Sequence, residues 1–237
     1  MSLRFASETP PFPALQRLQA LTPLDPAAIV AVSSAIAGAH SAPARRDFII
    51  EGSAVTGPRL IVEGWAARVR IMPDGRRQFL SFLLPGDVIG LCDQPTPIAC
   101  STITALTRMK LCDAPLAVQS PSLYEAYAIS RALDELYLLE HVARLGRMNA
   151  QERIYSLLLE LNERLSLTGL AQHGGFDIPL TQEMLADALG LTSVHVNRML
   201  QVARQLGAID WRGRSVVLYD PADLARQIGR APARVSG

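Results

Sequence analysis

Asn197 and Arg198 stand side by side, flanked by Ser193, Val194 and Gln201. The chemistry open to such a set is recognition of flat hydrogen-bonding edges. A guanidinium presents a fork of donors that fits two adjacent acceptors, and a carboxamide presents a donor and an acceptor together. On a helix, positions 194, 197, 198 and 201 share one face, opposite Val196 and Leu200. Between Ser193 and Arg214, four arginines (Arg198, Arg204, Arg212 and Arg214) stand against one acid, Asp210. That local excess suits phosphates, and a solvated basic face is the bland alternative.

Two short helices must position these residues, and the sequence carries their start and stop signals. Thr181 is placed to cap the first, whose apolar stripe is Met184, Leu185, Ala188 and Leu189. Gly190 supplies the turn. Thr192 caps the second, with Val196, Met199, Leu200, Ala203 and Leu206 facing inward and Gly207 at its end. Helix, glycine turn and helix predict a helix-turn-helix, a motif that lays its second helix in the DNA major groove. Beyond it, Ile209–Trp211, the turn Arg212-Gly213-Arg214 and Val216–Tyr219 read as a β-hairpin wing, and Asp220-Pro221 as the cap of a last short helix. Upstream, Asn149-Ala-Gln-Glu152 is close to a capping box and opens a helix to Leu165.

Residues 45–116 change character. Short apolar runs such as Leu60–Val62, Ala66–Ile71, Gln78–Leu84 and Thr102–Leu106 alternate with breaks at Gly57-Pro58 and Pro85-Gly86-Asp87. The pattern predicts an antiparallel barrel or sandwich, with Met72-Pro-Asp-Gly-Arg76 as a hairpin turn. Residues 1–13 are proline-rich and expected to be mobile, and two short helices are expected between Leu15 and Ile36, broken at Pro23 and Pro26. Residues 121–148 form one long helical segment in which Ala126, Ile129, Leu133, Leu136, Glu140 and Ala143 follow the spacing of a coiled-coil seam. Leu138, Leu139, Val142 and Leu145 add a second apolar side. A helix apolar on two sides needs two partners, so a parallel homodimer is expected, with a core helix in a monomer as the alternative. The expected domains are 1–120, 121–148 and 149–237.

Composition narrows the remaining classes. The chain has 237 residues, 49% of them hydrophobic, and a net charge of +1, so bulk charge announces no nucleic-acid partner. Of 23 basic residues only Lys110 is a lysine, which reads as coding bias. Cys92, Cys100 and Cys112 lack paired spacing, which argues against a disulfide framework. No secretion signal and no long apolar run are present, so a cytoplasmic protein without a membrane partner is expected. No nucleophile elbow, phosphate-binding loop, dinucleotide fingerprint or zinc-protease motif occurs, and no enzyme is expected.

Barrel, long helix and winged helix-turn-helix occur in an order that resembles the Crp/Fnr family of bacterial transcription regulators, over nearly the whole chain. Leu84-Pro-Gly-Asp-Val-Ile-Gly90, Ala150-Gln-Glu-Arg153 and Leu189-Gly-Leu-Thr-Ser-Val-His-Val-Asn-Arg-Met-Leu200 carry the resemblance. It implies an α+β fold: an N-terminal antiparallel β-barrel (jelly-roll-like, of the cyclic-nucleotide-binding kind), a long dimerisation helix and a C-terminal winged helix-turn-helix. It implies that Ser193, Val194, Asn197 and Arg198 read bases, with Gln201 on the same face. His195 would contact phosphate. Thr181, Gln182 and the amides of Thr192 and Ser193 would set the register, and wing residues Arg212 and Arg214 would add charge. The partners implied are a palindromic operator, a second copy of the chain and RNA polymerase. Many members carry a glutamate where Val194 stands; valine accepts no hydrogen bond and packs a thymine methyl, so a different base pair is expected there.

The resemblance also locates an effector pocket around Gly86, Asp87, Gly90, Leu91, Ala99 and Cys100. Members that bind cyclic AMP carry a glutamate where this chain has Leu91 and an arginine near Ala99, so cyclic AMP is not expected. An N-terminal iron–sulfur cluster is not expected either, because no cysteine precedes Cys92. Neither His40 nor His141 has a haem-ligand setting, and no cofactor is expected. Gly146 and Met148-Asn149 are hinge candidates. Two alternatives stay open: a regulator without an effector, and a binding module whose DNA domain is vestigial.

Overall fold

The computed structural model describes residues 12–92 and 94–235. Most of the proline-rich opening therefore lies outside the described residues, although Pro13 already begins a helix. The chain forms two compact units, built mainly of Ala14–Val142 and Ala143–Pro232. The division falls inside the long helix.

The first unit begins with α1 (Pro13–Leu21) and α2 (Pro26–Ala37), the latter capped by Asp25. Eight strands follow: β1 (His40–Ala42), β2 (Asp47–Ile49), β3 (Arg59–Glu63), β4 (Ala66–Ile71), β5 (Arg77–Leu83), β6 (Val88–Ile89), β7 (Thr102–Ala105) and β8 (Met109–Asp113). They make two four-stranded antiparallel sheets in the orders β1-β8-β3-β6 and β2-β7-β4-β5. Among the described residues no strand pairing joins the sheets, so the expected barrel takes the form of two layers.

Strand periodicity explains how the layers fill. Ile61, Ile89, Met109 and Leu111 from the first sheet meet Ala66, Leu83, Ile103 and Ala105 from the second in one apolar cluster. On the other face of the first sheet, Leu60, Val62, Val88 and Cys112 pack with Leu18, Val32, Leu123 and Ala126 of the helices. The β4–β5 hairpin closes where the sequence predicts, with the Met72 amide donating to the Arg76 carbonyl at 2.8 Å.

One buried cation holds the turn after β5. Arg17 of α1, 2% exposed, pairs with Asp87 at 3.1 Å and donates to the Gly86 carbonyl at 2.9 Å and to Ser130 at 3.2 Å. Asp87 also accepts from the Leu84 amide at 2.7 Å. Gly86 has φ +90° and lies so close to Arg17 that an added Cβ would come within 2.7 Å of it, so only glycine fits.

The long helix, α3 (Pro121–Arg147), crosses from one unit to the other. Its six expected seam positions do not share one environment. Ala126 is fully buried and Leu133 is 5% exposed, both within a single chain, and Ala126 belongs to the helix-facing core. A coiled-coil seam and a core-facing stripe share the same period, so spacing alone could not separate them. The apolar residues left in solvent are Tyr124, Leu138, Leu139 and Val142, at 67%, 40%, 60% and 69% exposure.

The second unit contains α4 (Ala150–Ser166), β9 (Ala171–Gln172), β10 (Gly175–Asp177), α5 (Gln182–Leu189), α6 (Ser193–Gln205), β11 (Ile209–Arg212), β12 (Ser215–Leu218) and α7 (Pro221–Gln227). The four strands form one antiparallel sheet, β11-β12-β10-β9. Asn149 and Glu152 complete a reciprocal capping box at the start of α4. Glu160 and Arg164 are buried in α4. Glu160 pairs with Arg144 at 2.6 Å and with Arg164 at 3.1 Å. Burial by itself would raise the Glu160 carboxyl, but the charges of Arg144 and Arg164 prevail and hold it below its ordinary value.

Candidate nucleic-acid interface

The recognition element is set by its caps. The Thr181 hydroxyl accepts from the Met184 amide at 3.1 Å, and the Thr192 hydroxyl accepts from the His195 amide at 3.2 Å. Between the helices Gly190 sits in the left-handed region at φ 62°, ψ 39°. This closes α5 and lets the Leu191 amide reach the Ala186 carbonyl at 3.1 Å. Leu185, Ala188 and Leu189 of α5 and Val196, Leu200 and Ala203 of α6 are buried, which fixes the rotation of α6 about its axis.

That rotation leaves the opposite side of α6 open. Ser193, Val194, His195, Asn197, Arg198 and Gln201 are all exposed, as are Thr181, Gln182 and Thr192 at the helix starts. Val194 is 78% exposed, an apolar side chain able to meet a methyl group but not a hydrogen-bond donor. The first amides of α6 have no intrahelical acceptor, so its N-terminus favours an anion.

The wing is the β11–β12 hairpin, with Arg212 paired to Ser215 across its end. Arg212 and Arg214 are exposed. The four arginines do not act alike. Asp210 holds Arg204 at 3.0 Å and Arg212 at 2.8 Å, and Arg204 also donates to the Trp211 carbonyl at 2.6 Å. Among the described residues Arg198 and Arg214 have no ion pair. Sequence counting gives the net charge of this patch but not which guanidiniums are already engaged.

Sequence reasoning missed the groups that brace this element from behind. Arg153 donates to the Met148 carbonyl at 2.8 Å and to the Leu189 carbonyl at 2.9 Å. Arg144, 1% exposed, donates to Ser156 at 3.1 Å as well as to Glu160. Arg153 lies in a quoted motif, but nothing in the sequence shows its reach to a carbonyl 36 positions away.

The six residues of the expected effector pocket differ in their surroundings. Gly86 and Asp87 are engaged by Arg17. An added Cβ on Gly90 would meet Val55 at 2.9 Å and the Gly57 carbonyl at 3.0 Å. Leu91 packs against the helix-facing core, Ala99 is buried and Cys100 is exposed. A cavity of about 220 Å³ lies along β2, the loop after it and the start of β3, touching Asp47, Ile50, Val55 and Arg59. None of the six expected pocket residues lines it.

The three cysteines differ in exposure. Cys92 and Cys100 are exposed, whereas Cys112 is buried in the strand core. Burial pushes the Cys112 thiol up to about 11, the direction of an unreactive sulfur. Among the described residues no group of three His, Cys, Asp or Glu side chains could hold a metal ion. No helix among them is long and apolar enough to cross a membrane.

The Crp-like helix-turn-helix domain model matches residues 152–227. The chain is 33% identical over 180 residues to the transcriptional activator protein FnrL of Cereibacter sphaeroides, covering 71% of each protein. It is 32% identical over 172 residues to the nitrogen fixation regulation protein FixK of Bradyrhizobium diazoefficiens, covering 68% of this chain and 70% of that one. Among solved structures, FixK2 from Bradyrhizobium japonicum superposes with a TM-score of 0.68 at 25% identity, over 83% of this chain and 98% of that one. A transcriptional regulator of the CRP family from Thermus thermophilus gives 0.63 at 25% identity, over 82% and 98%. With its paired antiparallel sheets, long helix and winged helix-turn-helix, the chain belongs to the Crp/Fnr family of DNA-binding transcription regulators.

Proposed function

We propose that two copies of this chain, acting in the cytoplasm, bind a palindromic operator, with α6 of each in a major groove. The observation that carries the reading is the outer face of α6. Val194, Asn197, Arg198 and Gln201 all stand in solvent on a helix whose other side is packed. Arg198 pairs with the O6 and N7 acceptors of a guanine, Asn197 reaches a base amide or carbonyl, and Val194 covers a thymine methyl. His195, Thr181, Gln182 and the amides of Thr192 and Ser193 hold phosphates, and wing residues Arg212 and Arg214 add charge. The chain supplies recognition, not catalysis, and RNA polymerase is the further partner in this reading.

The second copy covers the exposed apolar stretch of α3. Leu138, Leu139 and Val142 lie within one or two turns of each other on the solvent side, and Ile129, Leu136, Glu140 and Ala143 border them. Leaving three large apolar side chains in water is unfavourable, and a twofold-related helix removes them from it. The first unit does not take cyclic AMP in the usual manner. At the two positions that matter stand the apolar side chains of Leu91 and Ala99, and a cyclic phosphate buried without a guanidinium is costly.

Selection of binding sites from random DNA, followed by anisotropy titration of the selected duplex, tests the reading. A palindrome bound by dimers is the expected result. Selection of no sequence, or sedimentation of single subunits alone, overturns it.

A further inference from the structure

Arg153 caps two helices at once. Met148 follows directly on α3 and Leu189 ends α5, so both carbonyls belong to the set that a helix C-terminus leaves without an intrahelical donor. One guanidinium supplies both, Nε to Met148 at 2.8 Å and Nη1 to Leu189 at 2.9 Å. A cation is also favoured at the negative end of each helix. Gly190 lies under the same group. A Cβ there would stand 3.6 Å from Arg153 Nη1 and 3.8 Å from Leu145 Cδ2. The last turn of α3 is fastened a second time through Arg144, by its contacts to Ser156 and Glu160 of α4.

We infer that Arg153 is a positioning residue that fixes the direction of α6 relative to the end of α3, and so sets the half-site spacing that a pair of protomers accepts. The inference rests on the dimeric reading above. The Met148-Asn149 junction would be a free hinge if only its backbone joined α3 to α4. With the Arg153 fork engaged, the junction and the turn before α6 share one rigid group. Inserting one base pair between half-sites displaces the second by about 3.4 Å along the duplex. A braced pair of recognition helices rejects that displacement, and a loosened pair accepts it. Lysine offers a point charge on a flexible stem, so it cannot hold both carbonyls in one plane.

The test uses the full chain and an operator selected with the wild type. Affinity is measured for that operator, for versions with one base pair added to or removed from the centre, and for a duplex carrying one half-site. Wild type is expected to prefer one spacing by about tenfold or more. Arg153→Met is expected to lose most of that preference while binding the single half-site within about threefold of wild type. Should Arg153→Met fail to fold, Arg153→Lys serves, with the same loss expected. Unchanged spacing preference in a folded variant overturns the inference alone, as does equal weakening on the single half-site and the palindrome, which marks a merely structural role. A wild type indifferent to spacing overturns the dimeric reading and the inference with it.

Discussion

The outer face of α6 and the turn between β5 and β6 are both rich in groups that could hold a ligand, and they use those groups in opposite ways. On α6 the Thr192 hydroxyl takes the His195 amide while Val196, Leu200 and Ala203 pack inward, so Asn197, Arg198 and Gln201 remain turned to solvent. At the turn after β5, Asp87 and the Gly86 carbonyl are consumed internally by Arg17. The first region is finished inside and open outside, as a surface that reads another molecule must be. The second has spent its polar groups on its own packing.

The largest effect follows from breaking the internal pair. Arg17→Met leaves Asp87, 1% exposed, without its cation, and is expected to destabilise the first unit by about 3–5 kcal/mol. The chain has two tryptophans, Trp65 in the first unit and Trp211 in the second. Urea unfolding followed by fluorescence of single-tryptophan variants therefore reports each unit. A midpoint shift confined to Trp65 is the expected outcome, and an unshifted Trp65 transition would deny the contrast between the regions.

Glu160 offers a matching break in the other unit. Glu160→Gln leaves the buried Arg144 and Arg164 without their carboxylate, with an expected cost of about 3 kcal/mol at neutral pH. The carboxyl of Glu160 is held below its ordinary value of 4.5. Its contribution is therefore complete above that value and is lost as pH falls through the lowered folded one. Melting curves of wild type and Glu160→Gln should converge on acidification. A constant gap down to low pH would show that the charge of Glu160 contributes nothing.

Smaller effects sharpen the reading face. Val194→Glu should replace thymine by cytosine as the selected partner base at one position per half-site, because glutamate accepts from the cytosine amine. Identical selected motifs would remove Val194 from the base-reading set. Smallest of all, cyclic AMP should leave the Trp65 transition where it is, and a saturable rise in stability would restore the turn after β5 as a nucleotide site.

Much of this contrast is legible in the sequence, and the limit is physical. Thr181, Gly190 and Thr192 are local signals, acting within a few residues, and they mark where α5 and α6 begin and where α5 ends. Asn149 and Asp220 act likewise at the starts of α4 and α7. The strands of the first unit can be read from alternation and turns. What cannot be read is contact across long separations. Arg17 meets Asp87, Arg153 meets Leu189, and Ala126 turns into its own core. Each side chain also suits a second role, as surface charge, phosphate contact or coiled-coil seam, and only packing chooses among them.

The measurement that bears most directly on the central claim is the affinity of Arg198→Ala, at moderate ionic strength, for the selected operator and for unrelated duplex DNA. Loss of one bidentate guanine contact is expected to cost about 1–3 kcal/mol on the operator, with little change on unrelated DNA, where phosphate contacts dominate. Full operator affinity in that variant would contradict the assignment of the outer face of α6 as the surface that reads DNA.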